Sequence, residues 1–226
     1  MKRVVVAELL DTDSGTPREV VASLKDLRMF NNWFGGVHTM SSLLRRVARQ
    51  RHLKELSWVD VAGGEGYMAT RTQQSLARSG ITVRPVILDR AATHLGERHP
   101  GVCGDALALP FADNSFDAVG CSLFLHHLEP DEIVRFAREG LRVARHAFLI
   151  HDLQRYLMHL LLGYLGMPLY RSRITRHDAI ASVRRAYTPN EVRKMLEQVA
   201  PAANIEIGSY FLFRMGVIVW KQPNMT

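Results

Sequence analysis

Three histidines in this chain follow apolar runs: the adjacent pair His126 and His127, and His151. A neutral imidazole at such a place can take a proton near physiological pH. His151 carries Asp152 beside it, a carboxylate that either supports the ring or caps the helix that follows. Three further acids close apolar segments: Asp60 within Trp58-Val59-Asp60-Val61, Asp89 after Val86-Ile87-Leu88, and Asp105 after Val102-Cys103-Gly104. A carboxylate at a strand end can accept two hydrogen bonds from ribose hydroxyls. One in the position of Asp105 can take the exocyclic amine of an adenine ring. The turn Gly63-Gly64-Glu65-Gly66 supplies the remaining ingredient. Glycines let the backbone bend tightly and approach a ligand, and a helix start beyond them offers free N–H groups. Gly64-Glu65-Gly66-Tyr67-Met68-Ala69 fits the pattern G-x-G-x-x-G/A, with Asp89 lying 23 residues past Gly66. The same turn also occurs as an ordinary strand–helix corner.

The elements that must carry these residues are legible from periodicity. Residues 1–57 read as helical, with a start at Thr16-Pro17-Arg18-Glu19, an end near Phe30, a break at 31–36 and a second helix over 38–52. Short apolar strands follow at 57–62, 83–88, 116–121 and 146–151, with a weaker one at 101–103. Helices are predicted near 66–79, 91–98 and 130–140. Such alternation predicts a parallel sheet with helices on both faces. A capped helix begins at Thr188-Pro189-Asn190-Glu191, and Ile205–Phe211 with Met215–Trp220 reads as an antiparallel hairpin.

A chain of 226 residues with 47% hydrophobic content can bury a substantial core. Its net charge of +7 permits a nucleic-acid or anionic-membrane partner. Arginines cluster at 45–51 and 171–176 without interleaved aromatic residues, so no stacking platform for bases is expected and no nucleic acid is expected as partner. Cys103 and Cys121 lack metal or disulfide spacing and read as reduced thiols. The first residues, with Glu8 and Asp11 close behind a short apolar run, do not read as a secretory signal, and no stretch is long enough to span a membrane. A cytoplasmic protein is the expectation.

The segment Gly104-Asp105-Ala106-Leu107-Ala108-Leu109-Pro110-Phe111-Ala112-Asp113-Asn114-Ser115-Phe116-Asp117-Ala118-Val119 is more specific than the glycine turn. With it, the chain resembles the class I S-adenosylmethionine-dependent methyltransferases. It is most similar to the small-molecule group that includes those of ubiquinone and menaquinone biosynthesis. The resemblance is close over 57–150 and loose over 188–220. The family's first motif, D-x-G-x-G-x-G, stands here as Asp60-Val61-Ala62-Gly63-Gly64-Glu65-Gly66, with alanine in place of the first glycine. The resemblance implies S-adenosylmethionine as cofactor. It implies that Asp60, Ala62, Gly63, Gly64 and Gly66 form its turn, with Gly64 and Gly66 near the methionine part. Asp89 and Arg90 would lie by the ribose, and Gly104, Asp105 and Ala106 by the adenine, with Ser122 at the next strand end.

The segment after that strand, Cys121 to Glu132, should face the methyl donor. It has neither the N/D-P-P-aromatic motif of enzymes that methylate base amines nor the double-glutamate hairpin of arginine methyltransferases, which points to a small-molecule acceptor. His126 is the expected general base, by an offset that resembles the catalytic histidine of plant phenolic O-methyltransferases. A neutral imidazole near 6.5 would assist removal of a phenol's proton. His151 is the second catalytic candidate. His127 is expected to diverge from His126 as adjacent residues do. No third ligand has suitable spacing, so no metal is expected.

Residues 153–167 are apolar at ten of fifteen positions, which fits a core helix, a lid over a greasy pocket, or weak membrane contact. Trp33, Phe34, His127, Tyr156 and Tyr187 are the expected substrate contacts. The expected organisation is one α/β domain, a Rossmann-like doubly wound, mostly parallel sheet with a C-terminal antiparallel hairpin. It divides into a helical N-terminal cap (1–56), a cofactor-binding core (57–152), a helical lid insertion (153–188) and a C-terminal helix and hairpin (189–226). The expected activity is O-methylation of a phenolic or polyketide-type acceptor by a monomer or homodimer. C-methylation of a quinone-type ring, RNA methylation and a non-catalytic cofactor-fold protein are the alternatives.

Overall fold

The computed structural model describes residues 1–11, 15–200 and 204–222. Strands β1 (Glu55–Val61), β2 (Thr82–Asp89), β3 (Gly101–Cys103), β4 (Phe116–Ser122), β5 (Ala144–Leu153), β6 (Ile205–Tyr210) and β7 (Arg214–Trp220) form one sheet in the order β3-β2-β1-β4-β5-β7-β6. The first five run parallel; β7 is antiparallel to both β5 and β6. Chain order reverses between β1 and β4. In an open α/β sheet that reversal opens a crevice at the strands' carboxyl ends, where ligands bind. Asp60, Asp89, Ser122 and Asp152 all sit at or within two residues of those ends.

The strands bury residues on both faces, as a covered parallel sheet must. Leu56, Trp58 and Ala118 face one layer with α2 (Gly36–Gln50) and α3 (Tyr67–Ala77). Val59, Val61, Val119 and Phe148 face the other with α4 (Pro130–Val143) and α7 (Pro189–Glu197). Trp58, Phe136 and Phe148 are wholly enclosed, each worth about 1.5–3 kcal/mol of burial or more. A third group of helices, α1 (Pro17–Trp33), α5 (Leu157–Leu165) and α6 (Arg173–Arg185), packs together beyond the carboxyl edge.

Several boundaries differ from expectation. The Thr16/Glu19 capping box starts α1 as expected, but the helix runs on to Trp33, and α2 begins at once after Gly35. Gly35 sits at φ +82°, and a Cβ there would lie 2.5 Å from the Phe211 carbonyl oxygen, so only glycine fits this corner. No α-helix forms over 91–98; a single tight turn at Ala92–His94 with no buried residue takes its place. Without an apolar face to bury, the segment has nothing to hold a helix. Residues 1–11 are not helical either. They run as a strap across α6: Val4 N–H bonds the Arg184 carbonyl at 3.1 Å, and Leu9 and Leu10 N–H bond the two carboxylate oxygens of Asp178 at 2.8 and 3.0 Å.

Candidate active site

At the end of β1 the chain enters a turn in which Ala62, Gly64 and Gly66 all have positive φ, at 57°, 54° and 75°. Gly66 N–H bonds the Gly63 carbonyl at 3.0 Å, closing the turn, and α3 starts at once. A Cβ on Gly63 would stand 3.0 Å from the Asp60 carboxylate. At Gly64 nothing lies within 4 Å of that position, so its backbone faces open space. Asp89 supports the turn: its Oδ2 accepts the Gly64 N–H at 3.0 Å, and its Oδ1 accepts the Ala91 N–H at 3.1 Å and meets His94 Nδ1 at 3.2 Å. A carboxylate has about four acceptor positions, and three are taken here, so one remains for a ligand's hydroxyl.

Asp60 is wholly buried, and neither carboxylate oxygen has a partner among the described residues. Burial, and then the charge of Asp89, push its carboxyl up to about 8. A buried acid left in this state is an acceptor for a donor that the protein does not supply. The fit to a cationic nucleoside cofactor is direct: an orphaned carboxylate and an open glycine cradle, side by side at the switch in strand order. Farther along the crevice, exposed Asp105 accepts the Leu107 N–H with Oδ1 at 2.8 Å. Gly104 packs under Pro110, and Arg90 is exposed. Ala106 lies inside the core with Leu88 and Leu109. Ser122 pairs with His151 across β4 and β5, and its buried hydroxyl has no partner among the described residues.

On the acceptor side the sequence expectations need correction. His126 is buried and held at both nitrogens: Nδ1 lies 2.6 Å from Asp152 Oδ1, and Nε2 lies 3.3 Å from Glu8 Oε1. Burial alone would lower its pKa, but the two carboxylates outweigh it and push it up to about 10. The ring is therefore an imidazolium while Glu8 is seated, not the neutral base near 6.5 that the sequence suggested. His127 does not diverge from it. Both sit on the tight turn Leu125–His127, with ring centroids 4.3 Å apart, and His127 Nδ1 lies 2.8 Å from Asp11 Oδ2. Glu8 also approaches His127 Nε2, at 3.9 Å. A third ligand-type residue thus joins the pair, against the expectation from spacing. Its source is the strap, more than a hundred residues upstream, and no local pattern could have flagged it.

His151 is wholly enclosed, and neither ring nitrogen has a partner among the described residues. Burial and the nearby Arg214 guanidinium push it down to about 3, too weak a base to receive a phenol's proton. Asp152 serves His126 instead of capping a helix: Oδ1 meets the ring, and Oδ2 accepts the His126 backbone N–H at 3.0 Å. Tyr187 is buried, donates its hydroxyl to the Leu128 carbonyl at 2.8 Å and lies under Arg3 at 4.3 Å. It braces the strap and is not placed to meet a substrate. Trp33 is 75% exposed, Tyr156 is exposed and stacks on Phe213, and Phe34 stacks on Phe30. Leu157, Met158, Leu161 and Leu165 leave an exposed apolar face on α5. No helix among the described residues is long and apolar enough to cross a membrane.

Comparison with known proteins agrees with this geometry. Residues 59–147 match the family described as Methyltransferase domain. None of the curated proteins searched matches the sequence. Solved structures with the same fold include the plantazolicin methyltransferase BpumL in complex with a pentazolic desmethylPZN analog and SAH (12% identity, 95% of each chain covered, TM-score 0.67). They also include magnesium protoporphyrin IX methyltransferase, ChlM, from Synechocystis PCC 6803 with bound SAH (16% identity, 83% of this chain and 84% of that one, TM-score 0.56). A SAM-dependent methyltransferase from Aquifex aeolicus covers 79% of this chain and 89% of its own (16% identity, TM-score 0.52). The motif-bearing part of the sheet, with its orphaned Asp60, is thus the part that matches the methyltransferase family, and the chain shares its fold with S-adenosylmethionine-dependent methyltransferases of known structure.

Proposed function

We propose that the chain methylates a phenolic or polyketide-type hydroxyl on a hydrophobic small molecule. The observation that carries this reading is the Asp152–His126 pair, buried at the carboxyl edge of β4 beside Leu125 and Leu128. The cofactor, when bound, supplies an electrophilic methyl group. Asp60, Gly64 and Asp89 would hold it, with Asp105 toward the adenine and Ser122 facing the crevice. Asp152 fixes the His126 ring through Nδ1, which leaves Nε2 as the atom that meets the acceptor. Glu8 occupies that atom in this structure, so the acceptor's hydroxyl enters by displacing the carboxylate. Glu8 carries the Nε2 proton away as it leaves, and the neutral imidazole then takes the hydroxyl proton as the oxygen attacks.

The BpumL structure was solved with a small-molecule analog and SAH and covers 95% of this chain, which supports an acceptor of modest size. Free Cys103 and Cys121 fit a reducing, cytoplasmic setting. Ring C-methylation would draw on the same deprotonated phenol; mass spectrometry with NMR of the product separates the two. The decisive experiment screens phenols by turnover in the native chain and in His126→Ala. The expected result is turnover lowered on the order of 10²-fold or more with unchanged affinity for S-adenosylhomocysteine. Equal turnover would move the proton acceptor elsewhere.

A further inference from the structure

We propose that Glu8, His126 and His127 bind a divalent transition-metal ion, with zinc as the test case. The donor atoms are already gathered. His126 Nε2 lies 3.3 Å from Glu8 Oε1, and His127 Nε2 lies 3.9 Å from Glu8 Oε2. One ligand atom from each residue falls within 4.8 Å of the others. Tetrahedral zinc, with bonds of about 2.0–2.2 Å, sets its ligand atoms about 3.3 Å apart, so small side-chain movements close the site.

The surroundings are those a metal site needs. A ligating histidine commonly gives its second ring N–H to a carboxylate, which fixes the tautomer and aims the other nitrogen at the ion. Both rings have that partner: Asp152 on Nδ1 of His126 at 2.6 Å, and Asp11 on Nδ1 of His127 at 2.8 Å. The Glu8 carboxylate is oriented in turn by the Ser182 hydroxyl at 2.8 Å. Charge agrees as well. With neutral rings, Glu8, Asp11 and Asp152 carry three negative charges; a divalent cation together with Arg185, 3.7 Å from Asp11, cancels them.

Two histidines and one glutamate form a donor set suited to zinc and other first-row ions. Glu8 and His126 are buried and His127 is only half-buried, so a coordination position stays open on the accessible side. On the methyl-transfer reading, which this last step alone depends on, that position would receive the acceptor's oxygen and coordination would acidify its hydroxyl in place of the imidazole.

The test uses the full chain, stripped with a chelator and titrated with zinc by calorimetry and with cobalt(II) by visible absorption. The expected result is one ion per chain. The cobalt spectrum should be that of four- or five-coordinate nitrogen and oxygen ligands. Glu8→Gln and His127→Ala should each weaken zinc binding at least tenfold, and Asp11→Asn, which touches only the outer carboxylate, by about 10-fold or more. Circular dichroism and S-adenosylhomocysteine affinity, read on the same samples, report folding and the donor site separately. Absence of binding in the native chain, or equal affinity in the folded variants, overturns the site. Loss of S-adenosylhomocysteine binding would instead strike at the methyltransferase reading.

Discussion

Ala62 occupies a backbone conformation that glycine adopts freely, at φ +57°, in the position where related motifs have glycine. A left-handed L-residue costs about 1–2 kcal/mol. Ala62→Gly should therefore relax the turn and raise Tm, by about 2–8 °C for a chain of this size. A lower Tm would show that the alanine methyl packs favourably enough to repay the strain. Asp89 holds the Gly64 amide and the Ala91 amide together, so Asp89→Ala should weaken S-adenosylhomocysteine binding by at least tenfold in calorimetry. Unchanged affinity would remove Asp89 from the donor site.

Asp60 gives a pH signature. Its folded pKa stands near 8, against 3.8 for an ordinary aspartate. The free protein thus holds a proton there that the unfolded chain loses, and the stabilisation that proton provides is complete below about 4 and fades as pH rises through 8. A cationic donor favours the carboxylate. Affinity for S-adenosylmethionine should therefore climb between about pH 6 and 8.5, and Asp60→Asn should flatten the climb. A flat native profile would dispose of the idea.

Among the elements, the strap is the part that sequence could not show. Strands β1, β2, β4 and β5 carry apolar runs of the right length, and α1 and α7 begin with capping boxes that are written in four residues. The strap has no period, no cap and no burial pattern of its own; it is fixed by contacts from α6 and the turn at Leu125–His127. The same holds for Tyr187, whose aromatic character suggested a pocket wall but whose hydroxyl is spent on the Leu128 carbonyl. Asp178 is the strap's main anchor, since it receives two backbone N–H groups. Asp178→Ala should leave the sheet intact and raise amide exchange over residues 4–10 at least tenfold, the equivalent of about 1.4 kcal/mol of local stability. Unaltered protection there would show that other contacts hold the strap.

For the molecule as a whole, the pattern between 57 and 150 was enough to name the sheet and its cofactor, because strand ends, glycines and acids are all local. Which side chains converge from separate segments was not legible: the Glu8–His126–Asp152 chain depends on three stretches brought together only by folding. The donor site has a global readout. A ligand present at 100 times its Kd adds about 2.7 kcal/mol to stability, or roughly 5–11 °C of Tm at this chain length. S-adenosylhomocysteine should produce that shift and a nicotinamide dinucleotide should not; the reverse pattern would end the assignment.

The position of β7 has a consequence during synthesis. Residues 214–220 lodge between β5 and β6, so the half of the sheet nearest His126 and His151 stays open until nearly all the described chain has left the ribosome. Until then Phe148–Ile150 presents an unpaired, apolar border to solvent, the kind of border that recruits other strands. Nascent chains stalled before Arg214 should therefore depend on holding chaperones, and those stalled beyond Trp220 should not.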